Sequence, residues 1–129
     1  MVKSHTGSTN DDARELAARG APHGALVVAD TQTAGRGRQG RAWISPPGEN
    51  LYASFVLRPR LPAAACATLS LVVGVAVAEA LEAHARGARV RVKWPNDVRV
   101  NGRKLAGVLV EGRLRGDEFA WLVVGVGVN

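Results

Sequence analysis

A single cysteine, Cys66, in a chain of 129 residues excludes an internal disulfide framework, and three scattered histidines, His5, His23 and His84, offer no metal-ligand spacing. Cys66 reads instead as a small buried apolar residue. There is no G-x-S-x-G elbow and no internal repeat. No secretory signal opens the chain, because Met1 to Gly7 is polar and Asn10-Asp11-Asp12 follow where an apolar core would stand; a cytoplasmic setting is expected. Only Leu61 to Ala78 runs for eighteen residues without a charge, and its many alanines, Pro62, Thr68, Ser70 and Gly74 suit a helix packed under a sheet better than a membrane span. What is present is an ordinary globular composition, 47% hydrophobic and 22% charged, enough for one domain or a piece of one. Seventeen Lys and Arg against eleven Asp and Glu leave a net charge of +6, which points to an anionic partner: phosphate, carboxylate or nucleic acid.

The signals along the chain alternate in kind. Ser8, Thr9 and Asn10 can cap a helix whose apolar positions Ala13, Leu16 and Ala17 share one face and which Gly20 ends. Ala25 to Ala29 is a short apolar run bounded by Gly24 and Asp30, hence a buried strand. Thr31 to Asn50, rich in glycine and carrying Pro46-Pro47, predicts a long irregular loop of a length that is usually functional or disordered, with Thr31 to Gly48 expected to be mobile without ligand. Leu51 to Arg58 predicts a strand, and Pro62 to Leu81 a core helix closing near Arg86-Gly87. Arg89 to Lys93 and Val98 to Val100 alternate with period two, and Asn101-Gly102 is a strong hairpin signal before a return strand from Lys104 to Glu111. After a turn at Arg113 to Asp117, Phe119 to Val128 is the last strand. The order predicts an α/β (α+β) fold with a mixed, mostly antiparallel sheet and helices on one face. The sequence stops at Asn129 directly after an apolar strand, so the domain is expected to be incomplete.

Several clusters carry chemistry. Gly35-Arg36-Gly37-Arg38-Gln39-Gly40 matches G-x-G-x-x-G formally, but Arg41 to Gly48 cannot cleanly open the helix that a dinucleotide fingerprint requires, and Arg58 and Arg60 lie where its acid should stand, about 20 residues on. Arg41 and Ala42 replace the lysine and Ser/Thr of a P-loop. What remains is a glycine loop whose backbone can approach a ligand closely and whose Arg36, Arg38 and Arg41 suit phosphate or carboxylate oxygens. A solvated loop, or a nucleic-acid contact, fits the same residues. Lys93-Trp94-Pro95-Asn96-Asp97 is either a plain turn or one in which Asn96 and Asp97 offer oxygens to Mg²⁺. Across the Asn101-Gly102 hairpin Arg99 faces Lys104, an unfavourable pairing that an anion between them, or splaying into water, relieves. Gly107, and again Gly125 and Gly127, leave strand positions bare where a ligand can approach.

Taken together, six ordered blocks resemble the motifs of the biotin protein ligase (biotin–acetyl-CoA-carboxylase ligase) catalytic domain: Ser8-Thr9-Asn10, Gln32 to Trp43, Asn50-Leu51-Tyr52, Lys93 to Asp97, Lys104 to Glu111, and Gly125 to Asn129. The resemblance covers nearly the whole chain. It implies a sheet like that of class II aminoacyl-tRNA synthetases, and formation of biotinyl-5'-AMP from biotin and ATP with Mg²⁺, followed by transfer to a lysine of a carboxylase biotin-carrier domain, without a covalent enzyme intermediate. By the same resemblance Ser8, Thr9, Asn10 and Gln32 lie around biotin. Gly35, Arg36, Gly37 and Arg38 form the loop closing over carboxylate and adenylate. Lys104 sits on the reacting carboxylate and phosphate, so that Lys104 and Arg38 are the catalytic pair, and Gly107 gives biotin room. Arg36, Arg38, Arg41, Trp43, Lys93, Asn96 and Asn129 face ATP, and Asn96 and Asp97 the metal. The family's further helical segments, C-terminal barrel and N-terminal helix-turn-helix have no counterpart in these residues, so part of the adenine pocket is expected to be missing and DNA-operator binding is not expected. A lipoate-type ligase, a basic nucleic-acid-binding module, and a fragment that binds biotin without turnover are the alternatives.

Overall fold

A computed structural model describes residues 1–85 and 87–129, with residues 66 and 67 described by their backbone alone. The expected burial of Cys66 and the expected close of the second helix at Arg86 lie outside the described residues. The elements are β1 (Val2–Thr6), α1 (Thr9–Ala18), β2 (Leu26–Gln32), β3 (Leu51–Leu57), α2 (Cys66–Glu82), β4 (Val90–Lys93), β5 (Asp97–Val100), β6 (Arg103–Arg115) and β7 (Glu118–Val128). They form a seven-stranded sheet in the order β1-β2-β3-β7-β6-β5-β4. β1 and β2 run parallel, and the other neighbours antiparallel. The mixed, mostly antiparallel α/β architecture is the one the sequence predicts.

Local signals explain most of these elements. Asn101 and Gly102 both adopt positive φ, 50° and 78°, the conformation of a tight hairpin turn whose twist matches that of its strands. Val100 therefore pairs with Arg103 and Arg99 with Lys104, while a register shift just beyond leaves Leu105 as the extra residue of a bulge. Gly20 takes a φ of 91° and ends α1, with Ala21 N–H donating back to Leu16 O at 2.9 Å. Arg58, just after β3, ties this end down: its guanidinium donates to Ala17 O and Ala21 O at 2.8 Å each and to Ala120 O of β7 at 3.3 Å.

Three features differ from expectation. β1 was not foreseen, because an edge strand whose side chains largely face water shows no apolar alternation; it is held by backbone pairing to β2 and by the Met1 ammonium, 2.7 Å from Leu26 O. The loop after β2 is also not wholly irregular. Arg36 and Ala42 form a bridge, Gly37 N–H donates to Arg41 O at 2.7 Å, and Trp43 N–H to Gly35 O at 2.8 Å, making a narrow hairpin whose tip is a short 3-10 turn at Arg38–Gly40. Finally, the helices lie on opposite faces of the sheet instead of one. α1 buries Ala13 and Ala17 against Val27, Val56, Trp121 and Val123, whereas α2 packs Ala78 over Val98 and Ala106 with Val128 beside them. Val123 and Val128, an odd and an even position of one strand, point to opposite sides. α2 is apolar nearly all round, so its sequence carries no stripe that fixes a face. No helix among the described residues is long and apolar enough to cross a membrane.

Candidate active site

On the α1 face, β7 and β6 present Gly127 and Gly107 directly opposite each other, a bare patch in the sheet. The Trp43 indole lies on it: a Cβ at Gly107 or Gly127 would come within 2.8 or 2.6 Å of its ring atoms. The openness expected at Gly107 for a ligand is thus occupied by a side chain of the chain itself. Gly125 behaves in the same way, since a Cβ there would stand 2.1 Å from Asn10 Oδ1. In this structure these glycines admit Trp43 and Asn10.

Above this floor opens a cavity of about 430 Å³, within the range of small-molecule sites. It is lined by Ser8, Thr9, Asn10, Gln32, Arg36, Gly37, Arg38, Arg41, Trp43, Lys93, Asn96, Asp97, Lys104 and Gly107, so four distant blocks of sequence converge. Two of the residues singled out do not line it. Gly35 is buried behind the wall, where a Cβ would meet Trp43 O at 2.6 Å, and the exposed Asn129 donates its backbone N–H to Leu105 O at 2.8 Å.

The wall formed by α1 is a hydrogen-bonded network. Ser8 precedes the helix with no side-chain cap bond, contrary to the capping role its position suggests. Instead Gln32 Oε1 accepts from Thr9 N–H at 2.9 Å and Thr9 Oγ1 at 3.1 Å. Gln32 Nε2 donates to Ser45 Oγ at 3.0 Å. The fully buried Ser54 hydroxyl lies 2.8 Å from Thr9 Oγ1 and donates to Asn10 Oδ1 at 2.7 Å, and Asn10 Nδ2 donates to Glu111 Oε2 at 2.8 Å. Ser54 and Glu111 were missed as site-building residues. Ser54 could have been noticed as the one polar side chain on the Tyr52, Ser54, Val56 face of an otherwise apolar strand.

The opposite wall is cationic. Lys104 Nζ is 2.7 Å from Asp97 Oδ1 and 4.9 Å from the centroid of the Trp43 ring. The charge expected to lie between Arg99 and Lys104 is therefore partly supplied from inside the chain, by Asp97, while Arg99 Nη1 donates to Gly102 O at 3.2 Å. Asn96 is clamped to β6, its Nδ2 donating to Val108 O and its own carbonyl accepting from Val108 N–H, both at 2.9 Å. From the loop, Arg36 donates to both oxygens of Asp11 at 2.6 Å. That contact first, and the charges of Arg36 and Arg14 with it, holds the Asp11 carboxyl below its usual range against the opposing effect of burial, and Asp11 raises Arg36 in return. Arg38 and Arg41 are exposed at the mouth and make no ion pair among the described residues. The arrangement can hold a compact polar molecule against the network and draw anionic groups to the cations around its rim.

Known proteins resemble the chain over nearly all of its length. The sequence model of the biotin/lipoate A/B protein ligase family matches residues 3–129. A biotin--[acetyl-CoA-carboxylase] ligase of Paracoccus denitrificans is 46% identical over 127 residues, 98% of this chain and 52% of that protein. A bifunctional ligase/repressor BirA of Bacillus spizizenii is 44% identical over 122 residues, 95% of this chain and 37% of the relative. Among solved structures, the Aquifex aeolicus biotin protein ligase in complex with biotin and ATP superposes with a TM-score of 0.78 at 39% identity, covering 100% of this chain and 51% of that one. The chain thus spans about half, or less, of the length of these relatives.

Proposed function

The chain belongs to the biotin/lipoate A/B protein ligase family, and from that premise we propose that it forms the catalytic core of a biotin protein ligase. The observation that carries the proposal is the convergence of Ser8, Thr9, Asn10, Gln32, Arg38 and Lys104 on one cavity. In the first step an oxygen of the biotin carboxylate attacks the α-phosphorus of ATP and pyrophosphate leaves, giving biotinyl-5'-AMP. In the second the neutral amine of a carrier-domain lysine attacks the acyl carbon; AMP leaves and the amine proton goes to solvent or a nearby base. Lys104 neutralises the attacking carboxylate and the phosphate it meets, and Arg38 the charge developing on the phosphate oxygens. Ser8, Thr9, Asn10 and Gln32 form the polar end that orients the ureido ring, while Arg41, Trp43, Lys93 and Asn96 face the nucleotide. Catalysis is then positioning plus electrostatics, with the hairpin of 35–43 excluding water from an adenylate that hydrolyses easily.

Mg²⁺ fits this site only in part. Among the described residues no three His, Cys, Asp or Glu side chains come together, and Asp97 already holds Lys104. The free Asp97 oxygen and Asn96 Oδ1 remain, two hard donors of the kind that hold Mg²⁺ together with substrate phosphates. Bound there, the ion would neutralise phosphate charge.

Calorimetric titration with biotin, then with MgATP, followed by transfer to a biotin-carrier domain, tests the proposal. Biotin binding followed by pyrophosphate release is expected. A folded chain that ignores biotin but binds lipoate, or only oligonucleotides, would overturn it.

A further inference from the structure

The buried Asn10 amide is held from three strands. It lies against the backbone of β7, where a Cβ at Gly125 would stand 2.1 Å from Oδ1, so it has no room to swing aside. Oδ1 accepts from Ser54 of β3 at 2.7 Å, and Nδ2 donates to Glu111 of β6 at 2.8 Å. These two neighbours are not equivalent. A hydroxyl both donates and accepts, and Ser54 has a second outlet for its proton in Thr9 Oγ1 at 2.8 Å, so Ser54 would tolerate either end of the amide. An ionised carboxylate only accepts, and therefore takes Nδ2 alone. Among the described residues Asn10 is the one hydrogen-bonding partner of the Glu111 side chain, while the guanidinium groups of Arg14 and Arg36 stand farther off, at 3.8 and 4.0 Å. Which way round the amide sits is thus decided by Glu111.

We propose that Glu111 is a positioning residue that sets the donor polarity of the cavity wall. By holding one Nδ2 hydrogen of Asn10 it commits the Ser54 proton to Oδ1, and the second Nδ2 hydrogen is left as a donor for ligand in the cavity that Asn10 lines. Gln32, whose Oε1 already accepts twice from Thr9, adds another amide nitrogen to the same wall. A wall of this polarity selects a head group that offers a carbonyl oxygen. The proposal rests on the ligase reading only for the identity of that head group, a cyclic urea. Without the carboxylate the amide can turn over, and a ligand that brings donors in place of the carbonyl then finds an acceptor.

The test uses the full chain as wild type, Glu111→Gln, Asn10→Ala and the double variant, titrated calorimetrically with biotin and with 2-iminobiotin, whose protonated guanidinium puts donors where the urea has its carbonyl. Glu111→Gln should weaken biotin by roughly two- to fivefold and tighten 2-iminobiotin, narrowing the ratio of the two dissociation constants by roughly tenfold, the size of one charge-assisted hydrogen bond. Loss of a nearby negative charge alone would weaken the cation and widen that ratio, and partial unfolding would scale both constants together, so neither imitates the result. In the Asn10→Ala background the same substitution should not narrow the ratio, since Glu111 acts through that amide. Without ligand, the Asn10 side-chain amide protons, followed by NMR, should exchange with water faster in Glu111→Gln than in wild type. Glu15→Gln removes an equal charge from an exposed position of α1 that pairs with Arg19, and should leave that exchange unchanged. An unchanged or widened ratio in Glu111→Gln, unchanged amide exchange, or equal narrowing without Asn10 would overturn the proposal. A wild-type chain that binds no biotin would overturn the ligase reading instead, while the amide exchange would still decide whether Glu111 holds Asn10.

Discussion

A lysine in an open cavity is useful to catalysis only if it is charged and correctly aimed, and here Asp97 at 2.7 Å and the Trp43 ring at 4.9 Å do the aiming of Lys104. On the proposed function Asp97 also stands where a carboxylate or phosphate would meet Lys104, so substrate would displace it. Lys104→Ala should lower adenylate formation by more than tenfold, and Arg38→Ala likewise, measured as pyrophosphate release. Asp97→Asn keeps the shape and removes the charge that aims the lysine, so biotin KM should rise; a lowered KM would show that Asp97 chiefly competes with substrate. At the outer wall, Arg36 holds the folded Asp11 carboxyl below its ordinary 3.8. Its contribution to stability is therefore complete above the unfolded value and is lost as pH falls through the lower, folded one. Acid unfolding of Asp11→Asn should accordingly show a shallower pH dependence below about pH 4 than wild type, by a small margin because both side chains are partly exposed. Equal acid limbs would show the pair to be energetically silent.

The strands of the site depend on what their glycines admit. A methyl at Gly127 would stand 2.6 Å from the Trp43 ring, and one at Gly125 2.1 Å from Asn10 Oδ1. Overpacking of this kind costs about 1–3 kcal/mol. Gly127→Ala should lower the unfolding free energy by that amount, and combining it with Trp43→Ala should return most of the loss, because the clash has one partner. A cost undiminished in the double variant would place the strain in the backbone. Gly125→Ala should instead weaken biotin binding, since displacing Asn10 breaks its hydrogen bonds to Ser54 and Glu111. Elements of this kind divide into those readable in the sequence and those not. The β5–β6 hairpin was legible from Asn101-Gly102 because the turn itself demands those residues. The functions of Gly107, Gly125 and Gly127 were half legible: a bare strand position was evident, but Trp43 lies sixty-four residues before Gly107 in the chain, and nothing local says which distant side chain will lie on it. α2 was legible as a core helix, and the face it covers was not, because an apolar helix without a polar stripe can lie under either side of a sheet.

For the molecule as a whole, charge was legible as a sum and not as a map. The net +6 pointed to anions, and part of that charge lines the cavity: Arg38 and Arg41 from the loop, with Lys93 from β4, stand against the single carboxylate of Asp97, which Lys104 already occupies. Arg36, the third arginine of the loop, is neutralised by Asp11 and contributes little to that field. A rim of this kind raises the encounter rate of a multiply charged ligand far more than that of a singly charged one, and salt removes the advantage once the Debye length falls from about 14 Å to about 4 Å between 0.05 and 0.5 M. The association rate of ATP, followed by tryptophan fluorescence with Trp43 on the cavity floor and the exposed Trp94 at its mouth, should therefore fall several-fold over that range, and the rate for biotin, with its one carboxylate, should fall much less. Charge reversal at Arg41 should flatten the ATP dependence while leaving biotin unaffected. Equal salt dependence for the two ligands would assign the effect to the overall charge and not to the rim. Oligonucleotide binding with a steep salt slope that biotin does not disturb would instead show a nucleic-acid surface elsewhere on the molecule.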